Sequence, residues 1–195
     1  MDLYLSMAAF ALASSITPGP VNLVALNCGA RFGFRASARH ITGATVGFTL
    51  LLLLIGLGLY ELLERAPMLM RGIQWGGVAF LLYMVWRLAA DDGRLEAAAV
   101  GNGPSALNGA LMQWLNPKAW LASVAGMGLF AANGDVLRVW LFAGLYFAIC
   151  YGSIACWAGA GAFLSRYLQE PGRVRWLNRT MALLLAGSAL YLVAG

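Results

Sequence analysis

Charge is scarce in this chain, and so are the residue types on which soluble enzymes build their sites. Only 11% of the 195 residues are Asp, Glu, Lys or Arg, against 61% that are apolar. An ordinary soluble domain has about 25% charged and about 45–50% apolar residues, so a water-soluble fold is excluded. Histidine occurs once and cysteine three times. Cys28, Cys150 and Cys156 all fall in apolar segments with no Cys-x-x-Cys spacing, which removes a disulfide frame and a zinc site and leaves them as small core residues. No Asp or Glu lies inside an apolar run: Glu61 and Glu64 close one and Asp135 lies between two. That removes the easiest proton carrier and any carboxylate cage for a metal, so no cofactor and no metal are expected. The 13 basic residues outnumber the 8 acidic ones. They stand between apolar runs rather than in a patch with interleaved aromatics, which argues against nucleic acid.

What the chain does have is long apolar runs. A bilayer core of about 30 Å needs roughly 20 residues of helix. Six runs of that order are bounded by charge: Leu3 to Gly29, Ile41 to Tyr60, Met68 to Trp86, Ser105 to Phe130, Val136 to Leu164 and Trp176 to Val193. The expected fold class is therefore an all-α integral membrane protein with six transmembrane helices and a single domain, 1–195. A charged linker at about 91–103 separates a first part, about 1–90, from a second, about 104–195. The amino end lacks a basic n-region, and apolar character resumes after Ala11-Leu12-Ala13, so it reads as a retained first span. Alternate loops carry Arg31, Arg35, Arg39, Arg87, Arg94, Arg166, Arg173, Arg175 and Arg179 on one side and Arg65, Arg71 and Arg138 on the other. The positive-inside rule makes the first side cytoplasmic and puts both termini outside. His40, beside Arg39, is expected at the cytoplasmic interface.

Proline interrupts only two of the spans, at Thr17-Pro18-Gly19-Pro20 in the first and at Asn116-Pro117-Lys118 in the fourth. Each proline removes a backbone donor and clashes with the preceding turn. Inside hydrocarbon the freed carbonyls are tolerated only where protein or a water-filled cavity satisfies them. The breaks hold corresponding places in two halves of three spans. An odd number of spans per half inverts the second half, which is the inverted-repeat plan of many secondary transporters with a midplane site. A half-helix starting at Pro20 aims its free amides at the protein centre, where they suit a carboxylate. Asn22, Gln113, Asn116 and Lys118 add polar groups. A lysine at mid-span costs about 2.5 to 3.5 kcal/mol on insertion scales, so its default reading is functional. The alternative is that it neutralises freed carbonyls or snorkels to an interface. With no buried acid, a substrate ammonium would rest on carbonyls, amides or the faces of Trp114, Trp120 and Tyr146.

Two stripes accompany the breaks. Thr42, Thr45 and Thr49 in the second span, and Tyr146, Cys150 and Ser153 in the fifth, recur at steps of three and four and so share a helix face. They either line a path or pack against neighbouring helices. Gly43-x-x-x-Gly47 reads as helix packing, and the glycine-rich faces of the second and fifth spans can serve internal packing or a homodimer.

At these residues the chain resembles the LysE/RhtB family of amino-acid exporters, over essentially its whole length. The resemblance is carried by "TPGPVNLVALNCGARFGFRAS" with the following Gly43-x-x-x-Gly47, by "QWGGVAFLLYMVWRL", by "QWLNPKAWL" and by "LNRTMALLLAGSALYLV". It implies a cytoplasmic-membrane exporter of amino acids or close derivatives, driven by the proton-motive force. It carries Pro18, Gly19, Pro20, Asn22, Asn116, Pro117 and Lys118 over as substrate-path positions. The chain departs from the family pattern at Phe48, where the resemblance implies an acid, and at Met181, where it implies a glycine. The expected partners are a small-molecule substrate and membrane lipid, and the expected mechanism is alternating access with one half rocking against the other. The rivals are export of a metal cation or other small solute, an intramembrane enzyme using Cys28, Cys150 or Lys118 as nucleophile, and a purely structural subunit. The first lacks a ligand cluster, and the second lacks a base within reach.

Overall fold

The computed structural model describes residues 2–59, 61, 65–92, 103–131, 135–165, 167 and 170–194. Glu64, Arg94, Arg166 and most of the charged linker lie outside these. The described residues form eight α-helices and no strand: α1 Asp2–Ile16, α2 Pro20–Phe32, α3 Phe34–Leu54, α4 Pro67–Ala90, α5 Ala106–Leu115, α6 Pro117–Phe130, α7 Val136–Leu164 and α8 Pro171–Ala194. Local chemistry sets the boundaries. The Ser105 hydroxyl caps α5, Asn116 caps α6 and the Asp135 carboxylate caps α7, each satisfying amides that the helix leaves unbonded. Gly33, at φ +81°, is a left-handed corner between α2 and α3 that residues with a Cβ resist. The end of α3 loosens into a single π-helical turn, Ile55–Leu59.

Among the described residues three helical stretches can cross a membrane by length and composition, Phe34–Leu59, Arg71–Ala90 and Val136–Leu164, and the pair α1 and α2, bent by 63°, makes a fourth. Three or four of the six expected runs thus qualify on these grounds among the described residues. Helices α5 and α6 span only 10 and 14 residues, and α8 carries Arg173, Arg175 and Arg179 near its start. Much of the outer surface is apolar, with Leu5, Trp75, Trp86 and Leu183 all more than half exposed, as suits a face turned to lipid.

Packing divides the helices into two bodies. One core draws Met7, Val21, Ile41, Phe48, Phe142 and Tyr146 from α1, α2, α3 and α7. A smaller one joins Leu81 and Leu88 of α4 to Leu185 and Ala189 of α8, touching the first body through Leu23, with Met181 packed against it. Within the large body backbones meet directly. A Cβ on Gly29 would sit 1.9 Å from the Ala158 carbonyl of α7, and one on Gly161 1.9 Å from the Leu26 carbonyl of α2. Gly43 of α3 is pressed as hard onto Ala106 of α5, at 1.9 Å, and Gly47 less tightly onto Ala110, at 2.7 Å, so their Gly-x-x-x-Gly is spent inside the protein. In α7, Gly144 and Gly152 face open space.

Three expectations are corrected by this packing. His40 is 1% exposed, because α3 begins at Phe34 and carries it two turns inward, where Nε2 lies 3.3 Å from the Val21 carbonyl. Thr42 is exposed, since the buried face of α3 runs through Ile41, Ala44, Thr45 and Phe48. Cys28 and Cys150 are buried, but Cys156 is exposed.

Candidate functional site

The two proline breaks come together. A cavity between them is lined by Gly19 and Asn22 of the first, Asn116 and Lys118 of the second, and Gln113, Tyr146 and Cys150 beside them. Ser14, Ser15, Val21 and Phe48 complete much of its wall.

On the carbonyl side of the first break, the carbonyls from Ser14 to Thr17 are each satisfied. Thr17 Oγ1 donates to the Ser14 carbonyl (3.3 Å). Asn22 Nδ2 donates to the Ser15 (2.8 Å) and Thr17 (2.9 Å) carbonyls. Trp157 Nε1 donates to the Ile16 carbonyl (3.0 Å). Lys118 Nζ reaches across from the other break to the Thr17 carbonyl (2.7 Å) and hydroxyl (2.6 Å). The Ser14, Ser15, Ile16 and Thr17 carbonyls thus each have a donor, as hydrocarbon requires.

The amide side is different. The residue that caps helix α2 is Gly19, which has no side chain to do so, and the first helical bond is from Leu23 N to the Gly19 carbonyl (3.0 Å). The Val21 and Asn22 amides therefore lack an intrahelical acceptor and carry the positive end of the helix dipole at the cavity wall. At the second break the corresponding position is closed. Asn116 Oδ1 accepts from the Lys118 amide (3.2 Å), Asn116 Nδ2 donates to Gln113 Oε1 (3.4 Å), and Trp120 Nε1 covers the Trp114 carbonyl (2.8 Å). One break is sealed and the other keeps an open amide end.

Asn22 thus plays a part that its position in the sequence did not disclose. Both its neighbours are carbonyls, so its NH₂ is committed to them and its oxygen is left as an acceptor. Asn22→Asp is expected to cost about 2 kcal/mol, because two carbonyls lose their donor and face a carboxylate instead. The check is the thermal unfolding midpoint of the detergent-purified protein; an unchanged midpoint would mean that water replaces the amide.

Aromatic rings form the remaining wall. Phe48 stacks at 4.5 Å on Tyr146. Ser14 Oγ donates to the Phe10 carbonyl, so the Tyr146 hydroxyl, 2.6 Å from Ser14 Oγ, is the donor in that contact and keeps its lone pairs. The indole N–H groups of Trp114 and Trp120 are bonded to the Gly47 and Trp114 carbonyls, and neither ring lines the cavity. The ring faces that do are those of Phe48 and Tyr146.

Other expected positions fall elsewhere. Pro18, Pro20 and Pro117 border a second cavity of about 420 Å³ against Leu81 of α4 and Leu184 of α8, which shares Gly19, Asn116 and Lys118 with the first. Thr42, Thr45, Thr49 and Ser153 line neither. Thr45 and Ser153 are buried without a hydrogen bond, and Thr49 donates to the Thr45 carbonyl. Among the described residues no cluster of His, Cys, Asp or Glu could hold a metal. The central cavity measures only about 40 Å³, room for about three waters. Ser14 and Ser15 are the lining residues most readily missed, although a polar pair just ahead of a helix break is a signal that the sequence carries.

Comparison with known proteins identifies the family. The family model for LysE type translocators matches residues 12–195. A cysteine/O-acetylserine efflux protein of Escherichia coli (strain K12) is 28% identical over 187 residues, 93% of this chain and 92% of that protein. Proteins of the same description in Escherichia coli O139:H28 (strain E24377A / ETEC) and Salmonella typhi are 29% identical over 182 residues, covering 90% of both chains, and 28% identical over 186, covering 93% and 92%. No solved structure matches. The match runs through both proline breaks and the helices that bring them together, and the chain belongs to the LysE type translocator family.

Proposed function

We propose that this protein is a secondary exporter of small neutral amino acids or their close derivatives, with cysteine and O-acetylserine as the first candidates, across the cytoplasmic membrane. The observation that carries the reading is the uncapped amide end of α2 facing Lys118 across the cavity. The Val21 and Asn22 amides and the lysine receive the substrate carboxylate. Asn22 Oδ1 and the rings of Phe48 and Tyr146 receive its ammonium. Phe48 stands where the family resemblance implies an acid, so the lining lacks a full negative charge for a second cationic group, and substrates such as lysine are disfavoured. The relatives named for cysteine and O-acetylserine efflux support the same class.

Six spans in two inverted halves account for the paired breaks and for α4 and α8, the third span of each half, lying side by side. The repeat is approximate, since α7 lies along α2 while α3 lies along α5 rather than α6. The Arg-rich ends face the cytoplasm and both termini lie outside; Arg31 at the end of α2 pairs with Asp91 just after α4, as it would if both helices end on one side. Alternating access is needed, because about 40 Å³ does not admit an amino acid. Movement of one half on the other would pull Gly29 and Gly161 out of the α2–α7 contact. The seam between the α4–α8 pair and the rest is thinly packed and already hollow, so we assign the motion to it. Coupling is to the proton-motive force.

The test is efflux from vesicles holding the purified protein and a panel of radiolabelled amino acids, with and without an imposed pH gradient. Cysteine and O-acetylserine are expected to leave faster with the gradient, and lysine and arginine to stay. If no amino acid moves from vesicles with folded protein, the reading is wrong.

A further inference from the structure

The seam widens again at the Arg-rich ends of the helices, into a cavity of about 610 Å³ between α2, α4, α5 and α8. It lies away from the proline breaks and shares no lining residue with the central cavity. Arg31, Arg87, Asp91, Asn108 and Asn178 are its principal polar groups, with two cations against one anion. Arg31 is paired with Asp91 at 3.6 Å. The only polar partner of Arg87 among the described residues is the Tyr83 hydroxyl at 3.5 Å, a length at the limit for a hydrogen bond, so most of its guanidinium donors remain available. Asn178 is 2% exposed, lines the cavity and makes no hydrogen bond to another described residue. Among the described residues the fully buried side-chain polar atoms without a partner are those of Ser15, Thr45, Ser123 and Ser153, so the Asn178 amide opens into the cavity, where an occupant can bond it.

We infer that this cavity is a second amino-acid site, loaded from the Arg-rich side before the substrate reaches the breaks. Arg87 takes the carboxylate in the forked geometry that guanidinium favours, and the amides of Asn178 and Asn108 complete the polar cradle. The inference rests on the export reading and adds to it a place where substrate waits and is selected.

Equilibrium binding of radiolabelled cysteine, under reducing conditions, to the detergent-purified full chain is expected to show two molecules per chain. Arg87→Gln and Lys118→Met should each weaken one of the two sites about tenfold or more, and the double variant both. In vesicles, Arg87→Gln should raise the half-saturating cysteine concentration on the Arg-rich side about tenfold, the loss of one charge-assisted pair, with maximal rate and half-saturation from the opposite side unchanged. Cysteine methyl ester, which has no carboxylate, should be handled alike by wild type and Arg87→Gln. Asn178→Leu should also weaken binding yet raise the thermal midpoint, because an unpaired buried amide gives way to a side chain without that need; a merely structural asparagine would lower it. One molecule per chain in the wild type, unaffected by Arg87→Gln while efflux persists, overturns the second site and leaves the export reading standing. Absence of both binding and efflux overturns both. Displacement of an anionic phospholipid, but not of cysteine, by Arg87→Gln would assign the cavity to lipid and likewise overturn it.

Discussion

Replacing Lys118 with methionine is expected to lower export about 10- to 100-fold, the equivalent of one hydrogen bond to a charged group at about 1.5–3 kcal/mol, while the protein still inserts and folds. Among the described residues the lysine is the only charged group lining the central cavity, and it also borders the neighbouring one. It bridges the two broken spans through the Thr17 carbonyl and hydroxyl. In the resting arrangement its charge is held by the end of α1. On the export reading, a substrate carboxylate arriving at the open amides of α2 would offer a stronger partner; the lysine stem lies against Gly19, where an added Cβ would stand 3.5 Å from Cδ and 3.6 Å from Nζ. Methionine has similar length and no charge. The Thr17 carbonyl would still accept from Asn22, which is why folding survives and transport does not. Efflux from vesicles, with monodisperse elution of the variant as the folding control, measures this. Wild-type rates for every carried substrate would reduce Lys118 to a static cap on the broken helix.

The breaks themselves were legible because proline acts locally: Pro18 and Pro117 interrupt their helices whatever surrounds them. The contrast between the breaks was also present in the residues before the second proline of one and the only proline of the other, glycine at Gly19 and asparagine at Asn116, since one has no capping side chain and the other has a strong one. What could not be read locally is who satisfies the freed carbonyls. Lys118 and Thr17 are 101 residues apart and Trp157 and Ile16 are 141 apart. A stripe at helical spacing fixes a shared face without saying what that face meets, so Thr42 came out exposed while Tyr146 and Cys150 reached the cavity. His40 was misjudged because adjacency to Arg39 in sequence says little on a helix, where successive side chains point about 100° apart. The seam depends on which helices fail to pack closely, a property of no single segment.

Gly161→Ala tests where the protein is rigid and therefore where it moves, with an expected loss of about 3 kcal/mol of stability, the upper range for overpacking. The added methyl would stand 1.9 Å from the Leu26 carbonyl and 3.0 Å from the Ala30 amide nitrogen. These are backbone atoms that no rotamer change can move aside, so α2 and α7 would have to separate along their length. The reciprocal contact of Gly29 with Ala158 would open with them, and with it the placement of the α2 amide end against the cavity. Gly152→Ala on the same helix is the control: nothing lies within 4 Å of its Cβ position, so it should cost no stability and gain up to about 1 kcal/mol from helix propensity. Thermal unfolding of the two purified variants in detergent decides the matter. A large difference makes α2 and α7, which belong to different halves of the chain, one permanent unit, and transport must then run by motion of the α4–α8 pair across the seam. Equal midpoints would mean that the two helices separate cheaply, which would return the motion to the boundary between the halves.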